Sequence, residues 1–80
     1  MNTMESLQEI FRIVFDDATL RISRDQTAND IDGWDSLSHV NLITAVEASF
    51  KVRFTQRELL RLKNIGDLHD LIESRLKPEA

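Results

Sequence analysis

Only three residues in this chain of 80 punctuate a helix: glycine stands at Gly33 and Gly66, and proline at Pro78. Everywhere else the backbone is free to continue a helix. Its ends must then be set by capping side chains and by loss of apolar periodicity. This scarcity of breakers favours an all-α fold over one built from strands and tight turns.

The apolar periodicity divides the chain. From Thr3 to Phe15, Leu7, Ile10, Phe11 and Val14 recur at the i, i+3, i+4, i+7 spacing of one helix face, and Asn2 with Glu5 suits a capping box. Residues 16–35 show no sustained period and form a long loop, with Leu20, Ile22 and Ile31 available to pin it to the core. A second helix spans Ser36 to Phe50, with Asp35 as its N-cap and Leu37, Val40, Ile43, Val46 and Phe50 expected on one buried stripe. Thr55-Gln56-Arg57-Glu58 is another capping box and opens a short helix over 56–62. Gly66 closes that helix or turns the chain and Asp67 caps a final helix, whose stripe is Leu68, Leu71, Ile72 and Leu76 and which Pro78 ends. The expected architecture is a single domain over residues 1–80. It is a small four-helix bundle with a long loop between helices 1 and 2 and a short third helix.

The totals exclude several functions. There is no cysteine, so the chain has no disulfide framework and no thiol of its own. No apolar run approaches the length of a membrane span, so no membrane insertion is expected. The first ten residues lack a basic segment leading into an apolar one, so no secretory leader is expected. The expectation is a soluble, cytoplasmic monomer. A net charge of −4 argues against nucleic acid as a partner. The charge is uneven, however. Residues 1–35 hold eight acids and three bases, whereas residues 51–63, KVRFTQRELLRLK, hold five bases and one acid. That basic stretch reads either as a solvated face or as a docking surface, with Arg57 and Arg61 as its candidates.

The pentapeptide Gly33-Trp34-Asp35-Ser36-Leu37 carries the functional question. Ser36 reads as a nucleophile, a cap or an attachment point. A nucleophile needs a base, an orienting group and an oxyanion site. The available histidines, His39 and His69, have no evident orienting partner. Enzymes lower barriers by at least about 8 kcal/mol, whereas a helix N-terminus contributes about 0.3–1 kcal/mol at an exposed site. The chain is therefore not expected to be an enzyme, and two histidines make no metal site.

The surroundings of Ser36 favour attachment. The segment DIDGWDSLSHVNLITAVEASFKVRF resembles the second-helix region of the acyl carrier protein family. A glycine precedes the motif, Asp35-Ser36-Leu37 follows, and Val40, Leu42 and the Glu47–Phe50 end fall at the family's places. NIGDLHDLIESRL resembles the family's last helix and its lead-in, so the similarity covers nearly the whole chain. It implies a covalent 4'-phosphopantetheine arm, taken from coenzyme A by a phosphopantetheinyl transferase and joined to Ser36, with Asp35 in support. It also implies acyl-loading and acyl-accepting enzymes as further partners. The arm's thiol would carry acyl groups as thioesters. An anionic phosphodiester suits the positive end of a helix.

The sequence departs from the family's usual pattern around that serine. Carriers of primary fatty acid synthesis bear several acids along the second helix. Here the matching positions are Ser38, Asn41, Ala48 and Ser49, and Glu47 alone is acidic. Thr44 stands at an apolar position of the partner-facing patch, and Asp32 stands where many relatives have leucine. Partner recognition is accordingly expected to fall on Trp34, Leu37, His39, Val40, Asn41, Thr44, Arg57 and Arg61. Trp34 reads as a core anchor or as a surface beside the arm, and His39 as a solvated helix histidine or a neighbour of the phosphate. The leading expectation is a freestanding acyl carrier for a specialised lipid, polyketide or polysaccharide-modifying pathway. The alternatives are a peptidyl or aminoacyl carrier, and an unmodified four-helix interaction module.

Overall fold

Each helix begins where a side chain takes up a free backbone N–H. In the computed structural model, which describes residues 2–31 and 33–76, Asn2 Oδ1 accepts the Glu5 N–H at 2.8 Å and starts α1, Thr3–Val14. Asp35 does the same for α2, Ser36–Phe50, and Thr55 for α3, Gln56–Leu60. At α3 the expected capping box is complete: Glu58 Oε1 accepts the Thr55 N–H at 2.9 Å. The helix α4 spans Ile65–Leu76, and here the expectation needs correcting. Its cap is Asn64, whose Oδ1 accepts the Asp67 N–H at 2.8 Å, while Asp67 Oδ2 accepts from the Lys63 N–H. The expectations for Asp32 and Pro78 lie outside the described residues.

Gly66 does not turn the chain. It lies buried in the first turn of α4, where a Cβ would stand 3.1 Å from both the Cβ and the carbonyl oxygen of Arg24. The missing side chain lets the long loop press against α4. The Ile65 and Gly66 N–H groups donate to the carbonyls of Gln26 and Arg24, both at 2.9 Å. These are donors that a helix start leaves free. A forked Arg24–Asp70 pair at 2.9 and 3.1 Å lies over the same contact. At its other end the loop is tied to α1, where Arg12 Nε donates to the Leu20 carbonyl and Gln8 Oε1 accepts from the Ile22 N–H. The loop also contains one 3-10 turn, Ala28–Asp30, capped by Thr27.

The core is wholly apolar. Leu7, Ile10 and Phe11 of α1 meet Leu42, Ile43 and Val46 of α2 and Ile65, Leu68 and Ile72 of α4, with Ile31 supplied by the loop. Leu20 and Ile22 pack on its edge as expected. The short α3 buries no residue completely, because five residues turn too little to bury a stripe. Leu59 and Leu62 lean on the core from outside.

The surface carboxylates give the fold its pH dependence. Four are held below their ordinary values: Asp17 by the Thr19 hydroxyl, Asp35 by the Ser38 N–H, Glu58 by the Thr55 N–H and Asp70 by the Arg24 guanidinium. A carboxyl with a depressed folded pKa leaves the unfolded chain to bind protons first. Its stabilisation is complete above the ordinary range of 3.8–4.5 and is lost as pH falls through the folded value. Thermal melts are therefore expected to lose midpoint steadily as pH falls below about 5. A midpoint that rises on acidification would contradict this assignment.

Candidate functional site

The approach to α2 is shaped by Gly33, whose φ of +85° is open to glycine and strained for any L side chain. It follows the buried Ile31, and its carbonyl accepts the Asp35 N–H at 3.0 Å. Asp35 then caps the helix twice. Its Oδ1 accepts the Ser38 N–H at 2.9 Å, and its carbonyl accepts the His39 N–H at 2.8 Å. Ser36 is the first residue of α2 and is exposed. An anion on its side chain would stand at the positive end of a four-turn helix.

Trp34 anchors this junction. Its half-buried ring meets Phe11 edge-on, with centroids 5.4 Å apart and planes at 80°, and lies 6.0 Å from Phe15. On its other side it stacks on His39 at 6.1 Å and 18°, and its Nε1–H donates to His39 Nδ1 at 3.2 Å. His39 is thus half-buried, not a freely solvated helix histidine. Periodicity could not reveal the pair, because Trp34 precedes the helix and approaches His39 across its first turn. Trp34→Ala is expected to cost about 2–3 kcal/mol, below the 3–5 of a fully buried aromatic. Trp34→Phe keeps the ring contacts and is expected to cost about 1 kcal/mol for the lost donor. Denaturant unfolding separates them; equal losses would place the energy in the hydrogen bond instead of the ring.

The outward face of α2 corrects the expected stripe. Leu37 and Val40 are 72% and 60% exposed, and the buried positions are Leu42, Ile43 and Val46. At 100° per residue, Leu37 points opposite to Val46, so the two cannot share a face. This helix is apolar on both sides, and single-stripe reasoning merged them. Leu37, Val40, Asn41 and Thr44 form one exposed surface that leads away from Ser36. Arg57 and Arg61 lie apart from it, exposed on α3 and at its C-terminal end. Lys63 lines a cleft of about 100 Å³ with Trp34, His39 and Leu68, and it also lines an open groove with Leu60 and Arg61.

Among the described residues no three His, Cys, Asp or Glu side chains stand together as metal ligands. None of the helices described is long and apolar enough to cross a membrane.

No family model and no curated protein matches the chain. A solved structure does: the solution NMR structure of a holo acyl carrier protein from Geobacter metallireducens. It is 51% identical, with a TM-score of 0.89, and the match covers 95% of this chain and 87% of that one. The chain belongs to the acyl carrier protein family. It is a carrier and not an enzyme. In this acyl carrier protein Gly33, Asp35 and Trp34 fix the junction that opens α2 at Ser36.

Proposed function

We propose that the chain carries acyl groups as thioesters on a 4'-phosphopantetheine arm attached to Ser36 Oγ. The observation that supports this most is the exposed serine at the first position of α2, directly after its capping aspartate, in a chain 51% identical to a holo acyl carrier protein. The residues suit the group. The hydroxyl faces solvent, and the capping bond of Asp35 leaves its charge close by for a metal ion brought with the transferase. In the attachment step Ser36 Oγ bonds to the phosphorus of the pantetheine phosphate. Adenosine 3',5'-bisphosphate leaves coenzyme A, and the serine proton passes to a base on the transferase. The arm supplies the thiol that a chain without cysteine lacks.

The partner-reading surface is the outward face of α2, with Leu37, Val40, Asn41 and Thr44, extended by Arg57 and Arg61. Its composition favours a specialised pathway over primary fatty acid synthesis. Between residues 35 and 50 the only acids are Asp35 and Glu47, and both accept backbone N–H groups. Incubation with coenzyme A and a broad-specificity phosphopantetheinyl transferase tests the site. One arm per chain is expected by mass, mapped to the peptide containing Ser36; no gain, or a gain elsewhere, would refute it. Loading assays with acyl donors and with amino-acid-adenylating enzymes then identify the cargo class.

A further inference from the structure

We infer that the enzymes this carrier serves meet it with an acidic docking face set around an apolar socket. This rests on the reading of the α2 face as the surface that partners approach, and it adds the chemistry of the partner.

The charge is divided across the molecule. A whole-chain charge of −4, with +4 on residues 51–63, leaves −8 on the remaining 67 residues. The five bases of that stretch are all exposed, and among the described residues none of them enters an ion pair. Its one acid, Glu58, is held by Arg75 and by the Thr55 N–H. The bases approach α2 at two places. Lys51 and Arg53 share an open depression with Thr44, Glu47 and Ala48 at the C-terminal end of its outward face. Lys63 lines the cleft beside Trp34 and His39, on the side of α2 away from Leu37. The groove past Lys63 also contains Asp67 and Asp70, but Asp70 pairs with Arg24 and Asp67 accepts the Lys63 N–H. Leu37 and Val40 are exposed on the outward face of α2, and Leu60 projects from α3 with 80% of its surface exposed.

Complementarity then selects the partner's sign. Glu47 also lines the depression with Lys51 and Arg53 and enters no ion pair among the described residues, but bases outnumber acids five to one over residues 51–63. A basic docking face would meet that excess of cations, whereas an acidic rim would pair with them and guide approach. An extended anionic membrane fits poorly. It would repel the −8 carried by the other residues, and three separated apolar side chains offer little to bury in lipid.

Two amphipathic peptides with identical leucine faces, one glutamate-rich and one lysine-rich, serve as probes. Each is titrated against the carrier while backbone amide shifts are followed by NMR. The glutamate peptide is expected to shift amides in 51–63 and near Leu37 and Val40. Its affinity should fall about tenfold between about 20 and 300 mM salt, as screening shortens to below a contact patch. Arg57→Glu with Arg61→Glu should weaken it by a similar factor, and melting of that variant shows whether it folds. The salt series on the unaltered chain stands without it. The lysine peptide and vesicles one-quarter anionic should leave these amides unmoved. Stronger binding of the lysine peptide or the vesicles, shifts elsewhere, or affinity unchanged by salt would overturn the inference. The titration does not depend on the arm, so a failed mass gain at Ser36 would refute the attachment site and leave this result standing.

Discussion

Ser36→Ala is expected to abolish arm uptake completely while leaving the fold intact. The two halves of this result come from one geometry. Ser36 is exposed, and the cap that starts α2 belongs to Asp35, so the hydroxyl contributes nothing that alanine would remove from the helix. Alanine is also the better helix former, and a surface change of this kind stays within about 0.5 kcal/mol. The expected outcome is an unfolding curve that overlays the parent and a mass spectrum with no gain after coenzyme A and transferase. A retained gain would mean that another hydroxyl is the acceptor. Ser38 is the nearest alternative, but it is half-buried and its N–H is engaged by Asp35.

Phe11→Ala is expected to cost about 3–5 kcal/mol, the range for removing a fully buried aromatic side chain. The position explains the size. Phe11 is wholly buried, stacks on Phe15 at 5.7 Å and takes the edge of Trp34 at 5.4 Å. A chain of this length has a total stability on the order of 4–12 kcal/mol. The substitution would therefore consume a large share of it and leave a substantial unfolded fraction at moderate temperature. Far-ultraviolet circular dichroism against urea measures the loss. Because the ring also supports Trp34, the variant should lose arm uptake in proportion to its unfolded fraction. A loss below about 1 kcal/mol would show that the core closes around the gap, contrary to the tight packing assigned to it.

The architecture was legible because its determinants are local. The 3.6-residue spacing of Leu7, Ile10, Phe11 and Val14 and the Thr55–Glu58 box depend on neighbours a few residues away, and both helices start where these signals place them. The start of the second helix at Asp35 and Ser36 was legible as well. What escaped was governed by distant contacts. Gly66 reads as a turn in isolation, and only the approach of Arg24 from far along the chain reveals why that position has no side chain. Leu37 and Val40 read both as part of a buried stripe and as partner-recognition residues; the structure leaves them exposed, a choice that the spacing of apolar residues does not settle. The contact of His39 escaped because its partner, Trp34, lies outside the helix.

The stacked indole at the junction has an optical consequence. Trp34 is the only tryptophan in the chain, and no tyrosine is present. All of the protein's emission from long-wavelength ultraviolet excitation therefore originates two residues before Ser36, from a ring held between phenylalanines and an imidazole. The molecule contains its own spectroscopic label at the junction that opens α2.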